Sequence, residues 1–450
     1  PECYNRLMKI AVLGKGVEGN AVAEYFKNDE ITFFEKFTDE ELDSFGLENF
    51  DLVFRSPSVH PLYLAKQKSP HLIDNWTTIT NYFFSHVKAP IIGVTGTKGK
   101  GTTCSIIASI LREFSEKFEH VHLVGNIGNP AILELDQITE KDIVVYEMSS
   151  FQCWDLEKSH HISVVLRIEP DHLDRHPDFD DYVDAKSHIV LNQTPEDSCI
   201  YYANNLYSET IGELSKGQKF FYPIKTHLEE LNILLDQLQI PGEHNRENAE
   251  AAILAVLALL GISYDELFLP ENHELYQKIA NGLHKFQGLP HRLQFIRELN
   301  HVRYYDDNYS SAFPAADVAI AAFENYPTFL IAGGFDRGLD LTEMKQRFFS
   351  AKNLKKIILI GETKQRLAEN EDPEKYCFAK TLEEAVNIAR KLAEAQTELV
   401  ASNFDLCLPI SKNCPKEAIV LMSPGAASFD MFKNFSDRGE QFQSLVKSLK

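Results

Sequence analysis

No Cys-x-x-Cys pair occurs in the 450 residues, and the seven cysteines, at 4, 104, 153, 199, 377, 407 and 414, are odd in number and share no repeating spacing. That excludes the ordinary zinc and dithiol motifs and leaves reduced thiols in a cytoplasmic protein as the reading. Long apolar runs are missing as well: none approaches the roughly 18 residues a membrane span needs. The opening PECYNRLMKI lacks the apolar stretch of a signal peptide, and Met8 is a candidate native start. Positive charge is scarce, with 45 Lys and Arg against 66 Asp and Glu and a net charge of −21. An acidic surface repels phosphate backbones, which argues against nucleic acid as the main partner, although placed lysines and backbone N–H groups still suit a single nucleotide. Internal repeats and low-complexity segments are absent.

What is present is an alternation of short β-branched runs, Gly-rich turns and amphipathic stretches, the pattern of an α/β fold built on mostly parallel sheets. Three blocks are expected. Residues 1–89 open with strand Lys9–Leu13 and the turn GKGVEG, and residues 90–290 with strand Ile91–Val94 and the turn GTKGKG. Residues 291–450 begin with hairpin strands Leu293–Glu298 and His301–Tyr305 and continue through strands Thr328–Ala332, Lys356–Ile360 and Ala418–Met422.

The strongest local signal is Gly93-Val-Thr-Gly96-Thr97-Lys98-Gly99-Lys100-Gly101-Thr102-Thr103, between a strand and the helical run Cys104–Arg112. Glycines let backbone N–H groups wrap a phosphate, and the helix N-terminus favours the anion. Lys100 is placed to meet the β- and γ-phosphates of ATP. The common pattern puts Ser or Thr directly after that lysine to hold Mg²⁺. Here the position is Gly101, so Thr102 inherits the role with Thr103 in reserve. The first turn, Gly14 to Gly19, fits GxGxxG, with Glu35 ending the next strand where an acid would meet a ribose. A dinucleotide site, a UDP-sugar site and a purely structural turn all satisfy that signal.

Acids and imidazoles gather in the middle block. Strand Ile143–Tyr146 ends in Glu147, on the rim where parallel sheets bind ligands. Strand Ser163–Ile168 runs into Glu169-Pro-Asp171-His172-Leu-Asp174-Arg175-His176. Oxygen donors with one imidazole suit Mg²⁺ better than zinc, and a solvated acidic loop is the plainer alternative. Lys186 lies in the helical stretch Asp180–Leu191, and His244-Asn245-Arg246-Glu247-Asn248 precedes the apolar helix Ala249–Leu260. Asn245 and Asn248, three apart, share a face able to read an adenine edge. Arg337, on the turn after strand Thr328–Ala332, suits a bidentate grip on a carboxylate.

Together these segments resemble the Mur ligases, and within them the branch that adds D-glutamate. The resemblance rests on GVTGTKGKGTT, VGNIGNPA at 124–131, YEMSSFQ at 146–152, EPDHLDRH at 169–176, AKSHIV at 185–190, GEHNRENA at 242–249, GLPHR at 288–292, AGGFDRG at 332–338 and SPGAASFDMFKNFSDRG at 423–439, in family order. It implies three domains: a Rossmann-like UDP-binding domain over 1–89, a central P-loop ATP-binding domain over 90–290 and a Rossmann-like amino-acid-binding domain over 291–450. It implies an ATP-dependent ligase working through an acyl phosphate on UDP-N-acetylmuramoyl-L-alanine and D-glutamate, with ATP and Mg²⁺, as a cytoplasmic monomer. The rivals are the same chemistry on another acceptor or amino acid, such as a folylpolyglutamate-type ligase or one using L-glutamate, and a non-catalytic nucleotide-binding scaffold.

By the same resemblance, Gly96, Thr97, Lys98, Gly99, Lys100, Gly101, Thr102 and Thr103, with Asn248, Arg292 and Asp307, contact ATP. Val17, Glu18, Glu35, Lys36, Asn126, Ser149 and Gln152 contact the UDP substrate, and Arg337, Ser428 and Phe435 the incoming amino acid. Thr102, Glu147, His172 and a carbamylated Lys186 hold the metal. Lys100, Glu147, His172 and Lys186 form the catalytic set. Two positions depart from the family: Tyr309 stands where it often carries a lysine, and Arg337 where it usually has one.

Overall fold

Three sheets with parallel strands at their centres account for the alternating pattern. The computed structural model describes residues 7–35, 43–57, 59–60, 75–404 and 417–450. The first sheet contains β1 (Lys9–Leu13), β2 (Glu30–Phe34), β3 (Leu52–Arg55) and β4 (Trp76–Thr77), in the order 2-1-3-4 and parallel throughout. The second contains β5 (Ile91–Thr95), β6 (Val121–Gly125), β7 (Ile143–Glu147), β8 (Ile162–Val165), β9 (Ser198–Tyr202) and β10 (Gln218–Tyr222). Its order is 10-9-8-5-7-6, again all parallel. The central strands are buried on both faces, which is why Ile143–Glu147 reads as a continuous apolar run rather than an alternation.

The third sheet contains β11 (Gln294–Leu299), β12 (Val302–Asp306), β13 (Thr328–Gly333), β14 (Leu354–Ile360), β15 (Tyr376–Phe378) and β16 (Ala418–Met422), in the order 11-12-16-13-14-15. β11 and β12 form the expected antiparallel hairpin, and the other pairings are parallel. Among the described residues no helix is long and apolar enough to cross a membrane.

The chain divides into two compact units. The first holds residues 1–237 and 247–285, and the second holds 238–246 and 286–450. The first two sheets share a unit because they share a core. Ile10, Val12, Phe26 and Phe54 from the first pack in one apolar cluster with Val144, Tyr146 and Met148 from the second. The helix Ile79–His86 bridges them, with Phe84 edge-on to Tyr146 at 4.9 Å between ring centroids. In the second unit Tyr305 donates its hydroxyl to the Gln239 carbonyl at 2.9 Å, tying 238–246 to the third sheet.

Three boundaries differ from expectation by three residues or more. The helix expected at Cys104 begins at Lys100, because Gly99 turns the chain in the left-handed region and Gly101–Thr103 form the first helical turn. β8 stops at Val165 rather than Ile168. Its neighbour β5 turns away at Gly96, where a side chain would collide with Leu166, so Leu166–Ile168 lean on the turn instead of a strand. The helix expected from Ala249 starts at Glu243, directly after Pro241-Gly242, so its polar block lies within the first turns.

Candidate active site

In an open parallel sheet, ligands bind beyond the carboxyl ends of the strands where the strand order reverses. In the second sheet that point falls at β5, flanked by β7 and β8. Gly96 (φ 146°) and Gly99 (φ 89°) take conformations that side chains resist, and this lets the turn curl over the helix Lys100–Leu111. Asn248 presses on Gly99 so closely that any Cβ there would collide with its amide oxygen. The P-loop is therefore packed against one of the residues predicted to contact ATP.

Two lysines converge on this turn. Lys100 Nζ donates to the carbonyls of Gly96 (3.0 Å) and Thr97 (2.9 Å). Lys186, 1 % exposed on the helix Phe179–Leu191, donates to the same Gly96 carbonyl at 2.9 Å and to Thr95 Oγ1 at 3.4 Å. Its ammonium also sits 4.7 Å above the Tyr182 ring, whose hydroxyl meets Thr97 Oγ1 at 3.0 Å. Burial first, and the Lys100 charge second, push the Lys186 ammonium down to about 7 against the opposing pull of Asp171 and Glu147. Burial also lowers Lys100, again opposed by Glu147 and Asp171. The sequence pattern placed Lys100 here; only the fold brings Lys186 beside it.

Glu147 ends β7, buried, with Oε1 accepting from Asn126 Nδ2 at 2.9 Å; Oε2 has no hydrogen-bond partner among the described residues. Thr102 is partly accessible on the first turn of the P-loop helix. Thr103 is fully buried and its hydroxyl is unpartnered, so Thr102 is the better placed of the two. His172 lies in the loop after β8 at φ 54°, half exposed, its ring 5.2 Å from Phe151. Among the described residues no three His, Cys, Asp or Glu side chains cluster closely enough to hold a metal unaided. The Glu147 carboxylate and the Thr102 hydroxyl are oxygen donors, the kind Mg²⁺ takes alongside waters and substrate phosphates.

From the first sheet, the helix Val17–Tyr25 brings Glu18 to accept from Gln152 Nε2 at 2.8 Å. Gln152 is itself fixed by a capping box with Ser149. Burial raises the Glu18 carboxyl to about 7, although the Gln152 bond and the Arg55 charge act the other way. Val17 is exposed, and Glu35 pairs with Lys15 at 2.9 Å. Lys36 lies outside the described residues. Arg55, at the end of β3 and fully buried, makes a two-pronged pair with Asp155 (2.6 and 3.1 Å) and donates to the Val59 carbonyl at 2.7 Å. Neither Arg55 nor Asp155 carried a sequence signal.

In the second unit, the exposed Arg292 guanidinium stacks 3.9 Å from the centroid of the Tyr309 ring, and Tyr309 meets Phe435 edge-on at 5.3 Å. Asp307 is buried, accepting from Ser310 Oγ, from Ser423 Oγ (2.7 Å) and from Leu293 N (3.1 Å), and burial raises it to about 6. Arg337 is exposed on the rim of a cavity of about 480 Å³ whose walls include Phe313, Phe335, Leu341, Met344 and Gly425. Ser428 is buried and Phe435 partly exposed; neither lines this cavity. Arg438, fully buried, spans Asn308 Oδ1 (2.6 Å) and the carbonyls of Ala426 (3.2 Å) and Ala427 (3.3 Å), bracing the Ser423–Phe429 loop. Asn245 turns its amide back to the Pro241 carbonyl at 2.6 Å, whereas Asn248 lies against Gly99.

Residues 94–256 match the Mur ligase middle domain. Over its whole length the chain is similar to curated proteins. It is 33 % identical to the UDP-N-acetylmuramoylalanine–D-glutamate ligase of Thermoanaerobacter pseudethanolicus, covering 98 % of each. With the protein of the same name from Enterococcus faecalis it shares 33 % identity over 90 % of this chain and 84 % of the relative. Among solved structures it resembles UDP-N-acetylmuramate-alanine ligase MurC from Thermotoga maritima (TM-score 0.52, 17 % identity, 98 % and 100 % covered). MurF from Acinetobacter baumannii is also similar (TM-score 0.51, 19 % identity, 82 % and 79 % covered). Identity at this level over nearly the full length decides the family: the chain is a member of the Mur ligases.

Proposed function

We propose that this enzyme adds D-glutamate to UDP-N-acetylmuramoyl-L-alanine at the expense of ATP, a step in the synthesis of a peptidoglycan precursor. The observation that carries the reading is the convergence of Lys100 and Lys186 on one P-loop carbonyl, within electrostatic reach of Glu147 and Asp171. The full-length likeness to D-glutamate ligases supports the choice of substrates. Residues 1–89, 90–290 and 291–450 would serve the UDP moiety, ATP and the amino acid respectively. Substrates of this kind place the reaction in the cytoplasm, and we propose a monomer.

A carboxylate is a poor electrophile. The alanyl carboxylate therefore attacks the γ-phosphate of ATP, giving an acyl phosphate and ADP. The amine of D-glutamate then attacks the acyl carbon, phosphate leaves with the former carboxylate oxygen, and the amine loses a proton. Lys100, released from the Gly96 and Thr97 carbonyls, meets the β- and γ-phosphates, while the P-loop N–H groups of residues 96–103 cradle them. Lys186, as the free amine, captures CO₂ as a carbamate with loss of a proton, turning a cation into an oxygen donor. Thr102, Glu147, His172 and that carbamate would hold Mg²⁺, which when bound supplies charge neutralisation between the two reacting anions. Asn126, Ser149, Gln152 and Glu18 contact the UDP-linked substrate, and Arg337, Ser428 and Phe435 contact the amino acid.

Phosphate release measured with ATP, Mg²⁺ and UDP-N-acetylmuramoyl-L-alanine tests the reading directly. Release that depends on D-glutamate and is near background with L-glutamate is expected; release with L-glutamate alone, or with no amino acid, overturns it.

A further inference from the structure

Glu147, His172 and Lys186 stand on three separate stretches of chain: the end of β7, the loop after β8, and the helix Phe179–Leu191. A chain of hydrogen bonds to which none of the three contributes its side chain joins those stretches. Ser150, three residues beyond Glu147, meets His176 Nε2 at 2.9 Å. His176, four residues beyond His172 and bonded to its carbonyl through the backbone N–H at 3.0 Å, meets Asp181 Oδ2 through Nδ1 at 2.6 Å. Asp181 lies five residues before Lys186 on the same helix.

The proton positions follow from the partners. Burial opposes ionisation of Asp181, but hydrogen bonds from His176 and Trp154 outweigh it and hold the carboxyl below its ordinary range. An ionised carboxylate only accepts, so His176 Nδ1 donates and the neutral ring's Nε2 accepts the Ser150 hydroxyl. Trp154 Nε1 (3.1 Å) and His60 Nε2 (3.2 Å) also meet the Asp181 carboxylate. Phe151 stacks on the imidazole at 5.2 Å, and the Tyr182 ring meets it edge-on at 5.1 Å. Tyr182 is also the ring beneath the Lys186 ammonium.

The order Ser–His–Asp suggests a hydrolytic relay, but Ser150 and His176 are each only 2 % exposed, which closes the hydroxyl to any substrate. A buried chain that links three segments, each bearing one candidate ligand, has another use. We propose that His176 is a positioning residue of the metal rim: through Ser150 and Asp181 it sets the mutual placement of Glu147, His172 and Lys186. The inference rests on the reading of that rim as the Mg²⁺ site. Groups behind a metal's own ligands orient them, and their loss typically costs 10- to 100-fold in metal affinity.

The test is Mn²⁺ binding to the full-length protein saturated with ADP, read from the electron paramagnetic resonance signal of free Mn²⁺, with metal-free ADP affinity and thermal midpoint measured in parallel. His176→Phe keeps an aromatic ring between Phe151 and Tyr182 but removes both hydrogen bonds. It is expected to weaken Mn²⁺ binding at least about 10-fold while ADP affinity stays within about twofold. His176→Asn, which retains a donor toward Asp181, recovers part of the loss. Ser150→Ala removes one link with little change in volume and weakens Mn²⁺ several-fold, carrying the test should His176→Phe fail to fold. Wild-type Mn²⁺ affinity in a folded Ser150→Ala or His176→Phe protein, even with a lowered thermal midpoint, overturns the proposal. A wild-type protein that binds ADP yet holds no Mn²⁺ beside it would instead remove the rim reading, and this inference with it.

Discussion

The Gly96 carbonyl oxygen accepts from both Lys100, at 3.0 Å, and Lys186, at 2.9 Å. Two ammonium groups drawn to one oxygen in a buried turn repel each other; burial first, and that repulsion second, lower the affinity of Lys186 for its proton. Loss of the Lys186 proton would relieve the arrangement, as would a polyphosphate that drew Lys100 away.

Lys186→Met should therefore stabilise the ligand-free protein. Folding lowers this lysine from 10.5 to about 7. Between those values the unfolded chain binds more protons, so stability rises with pH through the window and the cost of the buried charge is complete only below about 7. The gain in thermal midpoint on substitution should be larger at pH 6 than at pH 9. An equal gain at both, or a loss at pH 6, would contradict the assignment.

Lys100→Ala should lower turnover by at least about 100-fold, since a preorganised charged contact to the transferring group contributes roughly 3–4 kcal/mol to the transition state. Phosphate release by the purified variant is the measurement. Unchanged turnover would reject the P-loop assignment.

Glu18 reports on the junction of the first two sheets. Folding raises its carboxyl from 4.5 to about 7, so the folded state holds the extra proton in that window and stability falls as pH rises through it. Glu18→Gln keeps an acceptor for Gln152 and abolishes that fall. Its thermal midpoint should exceed that of the wild type at pH 8 and match it near pH 4.5; the reverse order would remove the burial argument.

How much of this was legible beforehand depends on whether a signal was local. The P-loop, the rim strand ending in Glu147 and the hairpin opening the last block all announce themselves within a dozen residues, because glycine positions and strand periodicity are written locally. The helices at Lys100 and Glu243 start earlier than expected because Gly101, His244, Asn245 and Asn248 are poor helix formers, and tertiary packing overrides that weak preference. The pair Arg55–Asp155 and the chain Ser150–His176–Asp181 join residues 100, 26 and 5 positions apart. No spacing marks them. The only hint was a second histidine four residues after His172.

Asp155→Ala would leave the Arg55 guanidinium buried without its partner. Breaking a buried pair from one side costs about 3–5 kcal/mol, and the partial exposure of Asp155 puts this case at the low end. Urea unfolding should show a loss near that size; a loss indistinguishable from zero would mean water or another group compensates Arg55.

The most direct test of the account follows an oxygen atom. UDP-N-acetylmuramoyl-L-alanine labelled with ¹⁸O in its alanyl carboxylate, incubated with the enzyme, ATP, Mg²⁺ and D-glutamate, should yield inorganic phosphate carrying one labelled oxygen per turnover, since the carboxylate oxygen that attacks phosphorus leaves with it. Phosphate formed at the same rate but free of label would contradict activation of the carboxylate at this P-loop.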